Sequence, residues 1–235
     1  MQPDLANAQT VFIKSHGLLF PHDPSITRSR IRRQLRQGGY EQREFIAARS
    51  VLKKDDVVLE LGGGIGFMST VASKICGVQS VHIYEANPAL IPYITSVHQH
   101  NGVRNATIIH ALLGPKKAEA VDFYVRDDFL ASSLDPMQGD SDGGVTSVEK
   151  VPVHGIQKVL DTLKPTALIC DIEGAEAQLL PHADLSCLQS AVVELHPQWI
   201  KQDGVQKVFD TMHRAGLTYF PRTSNKKVVT FRKGW

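Results

Sequence analysis

Three carboxylates and one imidazole stand in two short stretches, Asp171-Ile-Glu173 and Glu194-Leu-His196, and each stretch directly succeeds an apolar run, Ala167 to Cys170 and Ala191 to Val193. Runs of this length and composition read as buried strands. In an open α/β sheet, ligands bind beyond the carboxyl ends of the strands, which is where these four residues fall. Side chains along a strand return to the same side every second residue, so Glu194 and His196 point one way, as do Asp171 and Glu173 if their strand extends that far. Such a set suits removal of a proton from a weak nucleophile such as a hydroxyl. An imidazole titrates near neutral pH, which makes His196 the natural general base, with Asp171 orienting the acceptor. The oxygen donors with one imidazole also leave open a divalent cation, Mg²⁺ or another, as the activating group. Glu176 opens the next helix, where a carboxylate is stabilised by the helix dipole.

The second chemical signal is Glu60-Leu-Gly-Gly-Gly-Ile-Gly66. Val57 to Leu61 reads as a buried strand interrupted only by Glu60, and Phe67 to Lys74 reads as a helix. A glycine turn between strand and helix allows positive φ, lets a ligand approach the backbone, and offers the unpaired N–H groups of a helix N-terminus. A nucleotide-like cofactor is cradled by such a turn. The dinucleotide pattern Gly-x-Gly-x-x-Gly does not fit, because its third glycine would fall on Phe67 or on Ser69. The pattern that fits is Glu60-x-Gly62-x-Gly64-x-Gly66, with Gly63 inside it, and it resembles the first motif of Rossmann-like S-adenosylmethionine (SAM) methyltransferases. A carboxylate there suits the ammonium group of SAM and would repel a pyrophosphate. Ser80 to Glu85 is the next strand, and Glu85, about twenty residues past the glycines, is placed to accept hydrogen bonds from two ribose hydroxyls. Asn105 to His110 is a third strand, and Ala111 and Leu112 just beyond it suit an adenine ring.

The 235 residues carry 26 Lys and Arg against 24 Asp and Glu, a net charge of +2 that argues for no polyanionic partner from the whole-chain balance. Cys76, Cys170 and Cys187 are widely separated and in no Cys-x-x-Cys arrangement, so neither a disulfide framework nor a zinc site is expected. No run of about 18 apolar residues occurs and the N-terminus has no signal-peptide pattern, so a soluble, cytoplasmic protein without a membrane partner is expected.

Residues 1–50 differ in composition from the rest of the chain and are expected to form a cap segment over the cofactor end of the sheet. A helix is expected from Ser25, as N-cap, to Gln37, bearing Arg28, Arg30, Arg32, Arg33 and Arg36, and a second from about Tyr40 to Leu52. The arginines form either a solvated face or a basic lip for an acidic substrate. Between Gly114 and Val153 two short strands, Val121 to Val125 and Thr146 to Val153, flank a polar Gly- and Asp-rich connection in which Ala131-Ser-Ser-Leu134 is a candidate to close the substrate pocket. Gly216 to Phe220 and Lys227 to Phe231 read as a closing hairpin.

Taken together, Gly39-Tyr-Glu41, Glu60 to Gly66, Tyr84-Glu-Ala-Asn-Pro88, Ser132-Ser-Leu134, Asp171-Ile-Glu-Gly-Ala-Glu176 and Glu194-Leu-His196 resemble the FkbM-type SAM-dependent methyltransferases, in that family's order, over residues 39 to 196. The resemblance implies a Rossmann-like class I methyltransferase fold of the α/β class: a central mostly parallel sheet with an antiparallel C-terminal hairpin, helices on both faces and a small N-terminal helical cap. Residues 51–235 would be the methyltransferase domain. It adds Tyr40 and Asn87 to the cofactor-binding set and implies SAM-dependent O-methylation of a small molecule, sugar or glycan, or secondary metabolite. A nucleic-acid methyltransferase, a non-catalytic SAM-binding module and a nicotinamide-dependent oxidoreductase are the alternatives. Acids at the pocket mouth oppose a nucleic acid, and a homodimer stays open.

Overall fold

The computed structural model describes residues 10–127 and 144–234. The Ser132-Ser-Leu134 motif lies outside them.

The chain begins with an antiparallel hairpin, β1 (Phe12–Ser15) and β2 (Leu18–Pro21), turned at His16 and Gly17, both at positive φ. The expected cap is therefore not purely helical. Its two short apolar pieces pair across a two-residue turn, the commonest hairpin connection. His16 stacks on Phe45 at 4.0 Å and Phe20 on Phe67 at 5.6 Å, so the hairpin is seated on the body of the fold. Helix α1 (Ser29–Arg36) has its N-cap at Arg28, three residues later than expected. Asp23 captures both the backbone N–H and the hydroxyl of Ser25, a local turn that competes with helix initiation. Ile31 and Leu35 bury the inner face of α1, while Arg28 makes a bidentate pair with Asp127, both contacts at 2.8 Å. Helix α2 (Gln42–Val51) packs Ala47 and Val51 against Val192, Phe220 and Val228.

The main sheet contains β3 (Val57–Leu61), β4 (Ser80–Glu85), β5 (Ala106–His110), β9 (Ala167–Cys170), β10 (Ser190–Glu194), β11 (Thr218–Tyr219) and β12 (Val228–Arg232). Their order is β11-β12-β10-β9-β3-β4-β5, with β5, β4, β3, β9 and β10 parallel and β12 antiparallel to both β10 and β11. The strands are apolar on both sides, as a doubly covered sheet requires. Val58, Val81, Ile83 and Ile169 face one core with α4 (Leu90–His100) and the N-terminal hairpin; Leu59, Leu61, Leu168 and Val193 face the other with α5 (Ile156–Leu163) and α7 (Pro197–Arg214). The expected α/β class with its antiparallel closing hairpin is what the structure has. A smaller sheet of β6 (Leu112–Gly114), β7 (Ala118–Arg126) and β8 (Val145–Gly155) packs Phe123 and Val151 against Ala86. No helix among the described residues is long and apolar enough to cross a membrane.

Strand order reverses between β3 and β9, and the crevice at their carboxyl ends is where such a sheet opens to ligands.

Candidate active site

At that reversal the turn leaving β3 runs against the turn leaving β9. Gly62 has φ +85°, and a Cβ on it would lie 1.8 Å from the Asp171 carbonyl oxygen. Only glycine fits so close a crossing. Gly63 is wedged under Ile83 and Ile94, and Gly66, at φ +74°, opens α3 (Phe67–Thr70), whose next turn, Val71–Cys76, is π-helical. Gly64 instead faces open space, its nearest neighbour being Glu41 Oε1 at 3.9 Å from a built Cβ. The turn bounds a cavity of about 730 Å³, a size that holds a cofactor-sized ligand.

Gly62, Gly64, Glu85, Asn87, Ala111 and Leu112 line this cavity. Glu85 is only 6 % exposed and accepts hydrogen bonds from the N–H groups of Gly64 at 2.9 Å and Asn87 at 2.7 Å. Burial pushes its carboxyl above the usual range, against the pull of these donors. Asn87 turns its Oδ1 to the Ala89 N–H at 3.1 Å, and its buried Nδ2 has no hydrogen-bond partner among the described residues. Glu60 and Tyr40 stand behind the lining. Glu60 is 1 % exposed, takes a hydrogen bond from the Ser69 N–H under the start of α3, and has its carboxyl pushed well up by burial. Tyr40 packs edge-on to Phe67 and hydrogen-bonds Glu41.

The same lining is rich in acids: Glu41, Glu44, Asp171, Glu173 and Glu194 all belong to it. Glu41 holds a left-handed backbone, φ 44°, at the N-cap of α2, so its side chain is delivered to the cavity. Burial, with Glu194 beside it, raises Glu44 to about 7, and Glu44 donates a hydrogen bond to Glu194. Desolvation and the Glu173 and Glu194 carboxylates push Asp171 well above the usual range.

His196 is nearly enclosed, with 3 % of its side chain exposed, and does not line the cavity. Its Nδ1 lies 2.8 Å from Oε1 of Glu176, a residue with no exposed surface, and its Nε2 lies 3.1 Å from Glu173 and 3.6 Å from Asp171. Burial alone would lower the imidazole, but hydrogen bonds to Glu173 and Glu176 overcome it and hold His196 up at about 10. The hydrogen-bonded imidazole thus favours its protonated form, where the sequence suggested a histidine titrating near neutral pH. Strand alternation does not unite these residues either. β9 ends at Cys170, β10 ends at Glu194, and Glu173 adopts φ 49°, so a turn rather than a strand brings Asp171, Glu173 and His196 together. Glu176 stands in the first turn of its helix, as expected, and also holds the imidazole. Glu44 carries no usable signal in the sequence, since one acid on an amphipathic helix about 150 residues before Glu194 reads as solvated surface.

No protein-family model matches the chain, and no curated protein matches it. Among solved structures it resembles TYW2 of M. jannaschii in complex with AdoMet, at 14 % identity and TM-score 0.51, covering 99 % of this chain and 90 % of that one. It also resembles Trm5b of Pyrococcus abyssi, at 12 % identity and TM-score 0.51, covering 96 % of this chain and 56 % of that one. These likenesses are of fold: the chain has the Rossmann-like class I methyltransferase fold.

Proposed function

We propose that the protein is a SAM-dependent O-methyltransferase of FkbM type, acting on a hydroxyl of a small molecule, a sugar or glycan, or a secondary metabolite. The observation that carries this reading is the cavity itself, lined by a glycine turn and Glu85 and by an acid pair, the buried Glu44 and the half-buried Glu194. SAM supplies a methyl group on a cationic sulfonium and departs as a neutral thioether. The lining fits it. Glu85 retains lone pairs for ribose hydroxyls, Asn87 Nδ2 is a buried donor in need of an acceptor, and Ala111 and Leu112 offer apolar contact to an adenine. Desolvated Glu41, Glu44 and Asp171 repel one another, and a bound cation relieves that cost.

The acceptor must lose a proton as its oxygen attacks. In this reading Glu44 keeps its own proton and donates a hydrogen bond to one oxygen of Glu194, leaving the other oxygen of Glu194 free to take the hydroxyl proton. A polyanionic acceptor would meet the acids that line this cavity, which favours a neutral or cationic one. The test is transfer of a tritiated methyl group from SAM to a panel of sugars, polyols and hydroxylated metabolites. Label in base-stable ethers supports the reading; label confined to nucleic acid or to base-labile esters overturns it.

A further inference from the structure

We propose that Asp171, Glu173 and His196 form a divalent-cation site in the wall of the cavity, with the buried Glu176 carboxylate as the group that orients the imidazole. Donor atoms of the three residues lie within 4.8 Å of one another. The arrangement has the two shells that metal sites need. Glu176 Oε1 accepts from Nδ1 at 2.8 Å, which fixes the ring and presents Nε2 to the two carboxylates. Metal-binding histidines are oriented by their second nitrogen in this way.

A second observation is independent of that hydrogen bond. Asp171 Oδ1 is shielded from solvent and accepts no hydrogen bond among the described residues, although an ionised oxygen in that position is costly without a partner. It stops 3.6 Å from Nε2, too far for the imidazole to satisfy it. A cation between the three donors would satisfy it. About a third of each carboxylate side chain, 35 % for Asp171 and 36 % for Glu173, remains exposed toward the cavity they line, so a bound ion would keep coordination positions open on the side where an acceptor oxygen would approach. Two hard oxygens and one imidazole suit Mn²⁺ or a similar first-row ion better than a site made of oxygens alone. The assignment stands on this geometry and not on SAM binding.

The experiment is calorimetric titration of Mn²⁺ into chelator-stripped protein without SAM, with SAM affinity measured in parallel. Wild type is expected to bind one Mn²⁺ saturably. Asp171→Asn and His196→Gln each weaken it at least about tenfold, and Glu176→Gln, which touches no ion, weakens it by about ten- to a hundredfold. Asp203→Asn, an acid lining the same cavity outside the set, keeps wild-type affinity. Far-UV circular dichroism of each variant confirms folding. Absence of saturable Mn²⁺ binding to wild type, or equal losses in Asp203→Asn and Asp171→Asn, overturns the site, because the imidazolium then suffices as counter-ion or the acids attract cations unspecifically. SAM binding without Mn²⁺ binding defeats this inference alone; Mn²⁺ binding without SAM binding defeats the proposed function alone.

Discussion

Replacing Gly62 with alanine tests the crossing on which the cavity depends. A Cβ at this position would sit 1.8 Å from the Asp171 carbonyl oxygen, which is backbone and cannot swing aside, and the residue is held at φ +85°. Overpacking of this kind costs about 1–3 kcal/mol, and placing an L-residue in the left-handed region adds about 1–2 kcal/mol. For a chain of this size the sum, about 2–5 kcal/mol, lowers the melting temperature by roughly 5–15 °C. Gly64→Ala is the matched control. Its φ is +50° but nothing lies closer than 3.9 Å, so it costs about 1 kcal/mol, a few degrees, while its methyl group enters the space assigned to the cofactor. The assay is thermal unfolding of both variants without ligand, then SAM titration. Gly62→Ala melting within about 2 °C of wild type, or the two variants melting alike, would refute the inference that a backbone collision demands glycine at 62.

The buried histidine gives two further expected outcomes. Because His196 is raised from its ordinary 6.5 to about 10 in the fold, its contribution to stability is complete below pH 6.5 and is lost as pH rises from there toward 10. Urea unfolding between pH 6 and 10, in chelator, should show wild type losing up to about 1.4 kcal/mol per pH unit relative to His196→Gln, and parallel curves would contradict it. Glu176→Gln, which replaces the carboxylate at Nδ1 with a neutral acceptor, should lower the unfolding free energy by about 2 kcal/mol, read from the urea midpoint, and an unchanged midpoint would show that the pair carries little.

The parallel core was legible because its strands are apolar on both faces and the glycines punctuate them; those signals are local. Glu85 was legible for the same reason, since a strand end at a fixed distance from the glycine turn determines its place. What escaped is non-local or a competition between local options. The hairpin at residues 12–21 is too short for periodicity to separate from a loop, and Asp23 delays α1 by a side-chain turn that an arginine-rich helical pattern conceals. The partners of His196 come from a left-handed turn at Glu173 and the first residue of α6 (Glu176–Leu179), and Glu44 meets Glu194 only because α2 packs beside β10. No spacing rule foretells either meeting. Glu60 shows the converse: its type and position matched a motif, yet the fold turns its side chain under α3 rather than into the cavity.

The central claim is that the turn from Gly62 to Gly66 and Glu85 bind SAM, and isothermal titration of SAM into wild type and Glu85→Ala tests it most directly. One SAM is expected per wild-type chain, with an affinity at least about tenfold weaker in the variant, the loss expected when a charged hydrogen-bond acceptor is removed. Heat from NAD but none from SAM, or identical SAM affinity in the two proteins, would contradict it.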